Sequence, residues 1–141
     1  IADIVKMRSD MMAHKPPKGP LDVKLIAGGL VDCEFAIHAT QLVHRAGLDP
    51  RLNVALRRLV EAGLAPATIP DAMNLMGRML VSLRLMAPDG APANAETRRR
   101  IAQLCGHAGQ ADAGWSALLA AYGDARQSVG QWWQTIRDAK G

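Results

Sequence analysis

Apolar residues recur every three or four positions through most of this chain, the period of helices with one buried face. Ile1, Ile4, Val5, Met11 and Met12 share such a register, with Lys6, Arg8, Ser9 and Asp10 between them, and predict a first helix. It must stop at Lys15-Pro16-Pro17, where proline removes a backbone donor and restricts the residue before it, and Lys18-Gly19-Pro20 prolongs the break. Leu21-Asp22-Val23-Lys24-Leu25 then alternates with period two and is the single strand-like piece. A lone strand needs a partner, so this segment is expected to be mobile or to pair with a domain outside the chain. Gly28-Gly29 turns the chain into a second helix, from about Leu30 to Ala46. Phe35, Ala39, Leu42 and Ala46 form its apolar stripe, Glu34, His38, Gln41 and Arg45 its polar one, and Gly47 its stop.

Asp49-Pro50 reads as an N-cap with proline at the first helical position. The third helix turns Leu52, Ala55, Leu56, Leu59 and Val60 inward and closes at Gly63. Thr68, with Asp71 three residues on, opens a fourth whose apolar face runs Ala72, Met76, Met79, Leu83, Met86. After the Pro88–Pro92 loop, Asn94 caps a short fifth helix holding Ile101, Leu104 and Cys105. The sixth is the longest, with Trp115, Leu118, Leu119, Tyr122, Val129, Trp133 and Ile136 in register. The expectation is one all-α domain over residues 1–141, a bundle of about six helices with one short strand-like segment.

Composition narrows the class. Hydrophobic residues make up 49% of the 141 and aromatics only 4%, so Leu, Ala, Met and Val fill the interior. The methionines read as core filler. The 17 Lys and Arg against 13 Asp and Glu leave a net +4 spread along every segment, without the concentrated basic face and interleaved aromatics of a nucleic-acid binder. Arg98-Arg99-Arg100 reads as a solvated helix face. Cys33 and Cys105 lie far apart inside helical patterns, as buried reduced thiols, which points to the cytoplasm. No stretch has the length of a membrane span or the pattern of a signal peptide. The chain opens at Ile1 inside a helical pattern, so it reads as a fragment of something longer.

Chemistry is sparse. The histidines, His14, His38, His44 and His107, are scattered, and no paired Cys/His spacing suggests a metal. Glu34 and His38 lie one helical turn apart, as a structural pair, with no nucleophile beside them. The distinctive stretch is Leu21 to Phe35: charges alternating, a Gly-Gly turn, then Asp32 and Glu34 in the first turn of a helix. Two readings stand. The glycines supply a turn and the acids suit the helix dipole, or the turn's N–H groups and Lys24 touch a phosphate.

This stretch resembles a pattern in the helical domains that follow the nucleotidyltransferase cores of glutamine synthetase adenylyltransferase: Asp-x-Lys, a Gly-Gly pair, then Asp-Ile-Glu-Phe-x-x-Gln. Asp22, Lys24, Gly28, Gly29, Asp32, Glu34 and Phe35 occupy those places, with Cys33 for the usual isoleucine and His38 for the usual glutamine. The flanking Met7-Arg8, Lys15–Pro20, Gln41-Leu42 and the helix after Asp49-Pro50 extend the likeness over roughly residues 3–65. The resemblance implies a domain, in the C-terminal half of such an enzyme, that supports transfer of AMP from ATP to glutamine synthetase in nitrogen metabolism. It implies ATP and Mg²⁺ in the parent enzyme and none in this fragment, which has neither the Gly-Ser pair nor the Asp-x-Asp site of the catalytic core. No residue here is expected to be catalytic. Lys24, Gly28 and Gly29 are expected to wall the cleft. Implied partners are the domain's own nucleotidyltransferase core, glutamine synthetase and the PII signal protein. The alternatives are a non-catalytic interaction module and the equivalent domain of PII uridylyltransferase.

Overall fold

A computed structural model describes residues 1–110 and 112–139. Six helices follow one another: α1 (Ala2–His14), α2 (Leu30–His44), α3 (Leu52–Glu61), α4 (Ile69–Met86), α5 (Ala95–Leu104) and α6 (Ala113–Asp138). Among the described residues there is no strand, and no helix is long and apolar enough to cross a membrane. The long α6 lies against α2, α4 and α5; α3 packs on α2 and α4, and α1 on α2. The centre is filled by Ile37, Leu56, Leu59, Ile69, Met76, Met79, Ile101, Leu118 and Val129, all essentially inaccessible. The α4 methionines thus act as filler, unbranched side chains that fit the irregular space where several helices converge.

Several local expectations change in the folded chain. The segment Leu21–Leu25 is a run of turns, not a strand. Asp22 organises it: its N–H donates to Gly19 O (3.1 Å), its carbonyl accepts from Ile26 N (2.9 Å), and its carboxylate accepts from Lys18 N (3.0 Å) and Leu25 N (3.2 Å). An aspartate that captures backbone donors three and four residues away favours a turn over a ladder. Val23 is buried and Lys24 exposed, so the alternation in polarity is real but arises from a coil. The segment is ordered by its own hydrogen bonds and needs no outside strand.

Asp49 is not the cap of α3. It accepts from Arg51 N (2.9 Å) and pairs with the Arg51 and Arg58 side chains, and the helix starts at Leu52. These Arg51 hydrogen bonds hold its carboxyl at about 2. Thr68 makes no side-chain cap either, whereas Asn94 does, accepting from Thr97 N at 2.9 Å. α2 ends at His44, with Arg45 in the left-handed region before Gly47. Leu42 and Leu104, placed inward by periodicity, are 66% and 57% exposed. α2 instead buries a broader face that includes Cys33, Ala36, Ile37 and Thr40.

Gly123 lies in the exposed middle of α6, where an added methyl group meets nothing within 4 Å. Gly123→Ala is therefore expected to stabilise the chain by about 0.5–1 kcal/mol, read as a higher denaturant midpoint with unchanged slope.

Candidate functional site

The distinctive motif folds into one structure, the loop between α1 and α2 together with the first turn of α2. Its centre is a buried ion pair. Arg8 Nε donates to Asp32 Oδ1 at 2.6 Å, and both side chains are more than nine-tenths buried. The other carboxylate oxygen of Asp32 accepts from Gly28 N (2.6 Å), and Arg8 also donates to Leu25 O (3.3 Å). One arginine thus ties α1 to both ends of the turn that carries Lys24 and the glycines. Asp32, at the third position of α2, reaches back to a preceding backbone N–H as the acid of a capping box does. The next free donors of α2 are met by the loop itself: Leu30 N donates to Val23 O and Val31 N to Lys24 O, both at 3.0 Å.

α6 holds the loop from the opposite side. Tyr122 Oη donates to Pro20 O at 2.9 Å, and burial raises this phenol's pKa, so it stays a donor. Arg126 Nε donates to Ala27 O (3.0 Å) with its guanidinium 5.5 Å from the Tyr122 ring centre. The close approach explains the glycine pair. A methyl group on Gly28, which has φ +75°, would overlap the Arg126 carbonyl, and one on Gly29 would overlap Val23 O and lie 2.7 Å from Ile26 O. Gly29 N donates to Ile26 O at 2.8 Å. Both glycine N–H groups are thus engaged inside the protein, and of the three residues expected to wall a cleft, Lys24 alone has an exposed side chain.

The remaining motif residues disperse. Glu34 is exposed and lies 3.7 Å from His38, an ion pair when the imidazole is protonated; His38 Nδ1 lies 3.0 Å from Gln41 Oε1. Phe35 turns to α6, edge-on to Trp133 at 6.2 Å between ring centres. Cys33 is fully buried with its thiol pushed up to about 12 by burial, so it is chemically inert. Arg98 pairs with Asp112, while Arg99 and Arg100 both pair with Glu96, whose carboxyl their hydrogen bonds hold at about 2; that run is spoken for. Among the described residues, no three His, Cys, Asp or Glu side chains gather as a metal site would require.

Sequence reasoning passed over Arg8. The signal was present: Arg8 stands three or four residues from Ile4, Val5, Met11 and Met12, so a charge sits in the middle of an apolar stripe. Such a charge has to be paired when the stripe is buried. Arg126 gave no comparable signal: its place one turn after Tyr122 points only to the ring contact, and its hydrogen bond is to a backbone atom 99 residues away.

No family model matches the chain, and no solved structure matches it. It is similar to curated proteins named bifunctional glutamine synthetase adenylyltransferase/adenylyl-removing enzyme. That of Caulobacter vibrioides is 39% identical over 104 residues, 69% of this chain and 10% of the relative. That of Stenotrophomonas maltophilia is 36% identical over 120 residues, 77% of this chain and 12% of the relative. A third, from Bordetella bronchiseptica, is 36% identical over 99 residues. The chain spans about a tenth of the length of these relatives.

Proposed function

The chain belongs to the glutamine synthetase adenylyltransferase family as the counterpart of about a tenth of its members' length, and from that premise we propose a supporting role in AMP transfer. In this reading it is the helical domain that follows a nucleotidyltransferase core, in the C-terminal half of the enzyme. It packs against that core while AMP passes from ATP to glutamine synthetase. The observation that carries the reading is the homology itself, 36–39% over most of the chain, joined to a motif loop that is tied down by hydrogen bonds and leaves the motif's lysine, Lys24, exposed.

The residues divide the work. Arg8, Asp32 and the Gly28 N–H fix the loop; Tyr122 and Arg126 clamp it to α6; Lys24 offers an ammonium group to the cleft, where it would meet phosphate oxygens as a point charge. Gly28 and Gly29 wall that cleft by permitting close packing. ATP and Mg²⁺ would be held by the core, the metal neutralising charge that develops on the phosphates. Glutamine synthetase and the PII protein are proposed partners of the whole enzyme. A pure interaction module is the second reading, favoured by large apolar side chains left exposed, with Leu85 at 76% and Leu48 at 64%. The names of the relatives favour the adenylyltransferase over PII uridylyltransferase.

Incubated alone with ATP, Mg²⁺ and glutamine synthetase, the chain is expected to incorporate no labelled AMP above background. Metal-dependent incorporation by this chain alone would overturn the supporting role.

A further inference from the structure

The loop that carries Lys24 also closes one side of a long trough. Two adjoining hollows, of about 720 and 590 Å³, share Lys24, Leu80 and Arg84 in their linings, so they run into one another along α4. The first hollow is cationic. Lys15, Lys18, Lys24 and Arg84 line it, and among the described residues none of their side chains makes an ion pair or a hydrogen bond. Arg8, Arg51, Arg58 and Arg98–Arg100, by contrast, all have carboxylate partners. Two carboxylates share the cationic lining, Asp22 and Asp89, and that of Asp22 is engaged by backbone donors. The second hollow is mostly apolar, lined by Leu30, Pro50, Leu52 and Met73, with Glu34 and Asn53 as its other polar side chains. Gly77 opens its wall, since a methyl group there would meet nothing within 4 Å.

We infer that this trough is a docking surface for an acidic, leucine-bearing polypeptide segment, with carboxylates among Lys15, Lys18 and Arg84 and apolar side chains beyond Leu80. Charge complementarity selects the occupant: the unpaired cations Lys15, Lys18 and Arg84 attract carboxylates, and the apolar side chains that line both hollows supply burial. A nucleotide fits less well. The N–H groups of Gly28 and Gly29 are engaged, and none of Phe35, Trp115, Tyr122, Trp132 and Trp133 lines the trough to stack on a base. Lys24 lines both hollows and is also the residue proposed for the nucleotide cleft, so the two readings are separated by the Lys18/Arg84 variant, which leaves Lys24 in place.

The test is fluorescence anisotropy of a short labelled peptide of glutamate, aspartate and leucine against the full chain at low salt. Binding is expected to weaken about tenfold in the Lys18→Glu/Arg84→Glu variant, and to fall with added salt as exposed charges are screened. Gly77→Leu, whose Cβ meets nothing within 4 Å and whose side chain would occupy the apolar end, is expected to weaken it about fivefold with thermal stability kept within a few degrees. A lysine–leucine peptide of the same length is expected not to bind. No binding of the acidic peptide, or equal binding by both variants, would overturn the proposal. So would equal binding of a glutamate–serine peptide, which would reduce the surface to charge alone. ATP that displaced the peptide and lost affinity in the same variants would assign the trough to a nucleotide instead.

Discussion

Replacing Asp32 with alanine is expected to lower stability by about 3–5 kcal/mol, a fall in melting temperature of about 10–20 °C for a chain of this size. The loss has two sources. Arg8 would keep its charge in a site that is 4% exposed, with no carboxylate to face, and Gly28 N would lose its only acceptor. One guanidinium nitrogen, Nη1 of Arg8, is already buried without a partner, so the pair has no slack to absorb the change. Removing both charges together tells the cost of an orphaned ion from the worth of the pair. An Arg8→Met/Asp32→Leu variant is expected to lose only about 1–3 kcal/mol, because the orphaned charge is gone and what remains is the unpaired Gly28 N–H. Urea titration of the two single variants and the double variant measures the coupling. Additive losses would mean that Arg8 and Asp32 act independently.

Gly28→Ala is expected to be of similar severity, about 3–5 kcal/mol, for a different reason. Its backbone sits at φ +75°, which costs an alanine about 1–2 kcal/mol, and the new methyl group meets the backbone of Arg126, with the carbonyl carbon at 3.0 Å and Cα at 3.1 Å. Backbone cannot rotate aside as a side chain can, so the loop and α6 must part. Two other glycines separate the contributions. Gly63 has φ +70° with open space around it, so Gly63→Ala reports the conformational cost alone. Gly29→Ala reports the clash without the strained φ, since its φ is −84°. A Gly28→Ala loss no larger than that of Gly63→Ala would contradict the close packing of loop on helix.

Much of the fold was legible because its signal is local. Six helices, the proline break after α1, the Asn94 cap and the methionine face of α4 all follow from spacing within a few residues of one another. The failures are places where a side chain chose a partner that spacing does not reveal. Asp22 and Asp49 use their carboxylates on nearby backbone N–H groups, which turned an apparent strand into turns and moved the start of α3. Leu42 and Leu104 lie in helical register with buried residues but at the edge of their faces, where periodicity does not distinguish half-covered from open. In the candidate site, the motif residues were identifiable as a group, and their division of labour was not. That Asp32 is bonded to Arg8 while Glu34 faces outward depends on where α1 crosses α2, a tertiary fact.

The most direct measurement puts this chain where its relatives carry their counterpart. In the Caulobacter vibrioides enzyme, the matching segment would be exchanged for this chain, and AMP transfer to glutamine synthetase assayed beside the chain alone. Transfer by the exchanged enzyme, a fall of about tenfold or more on Lys24→Ala at unchanged melting temperature, and none by the chain alone would be the expected result. A cooperatively folded exchange that transfers no AMP, or full transfer after Lys24→Ala, would contradict a domain that completes the catalytic cleft.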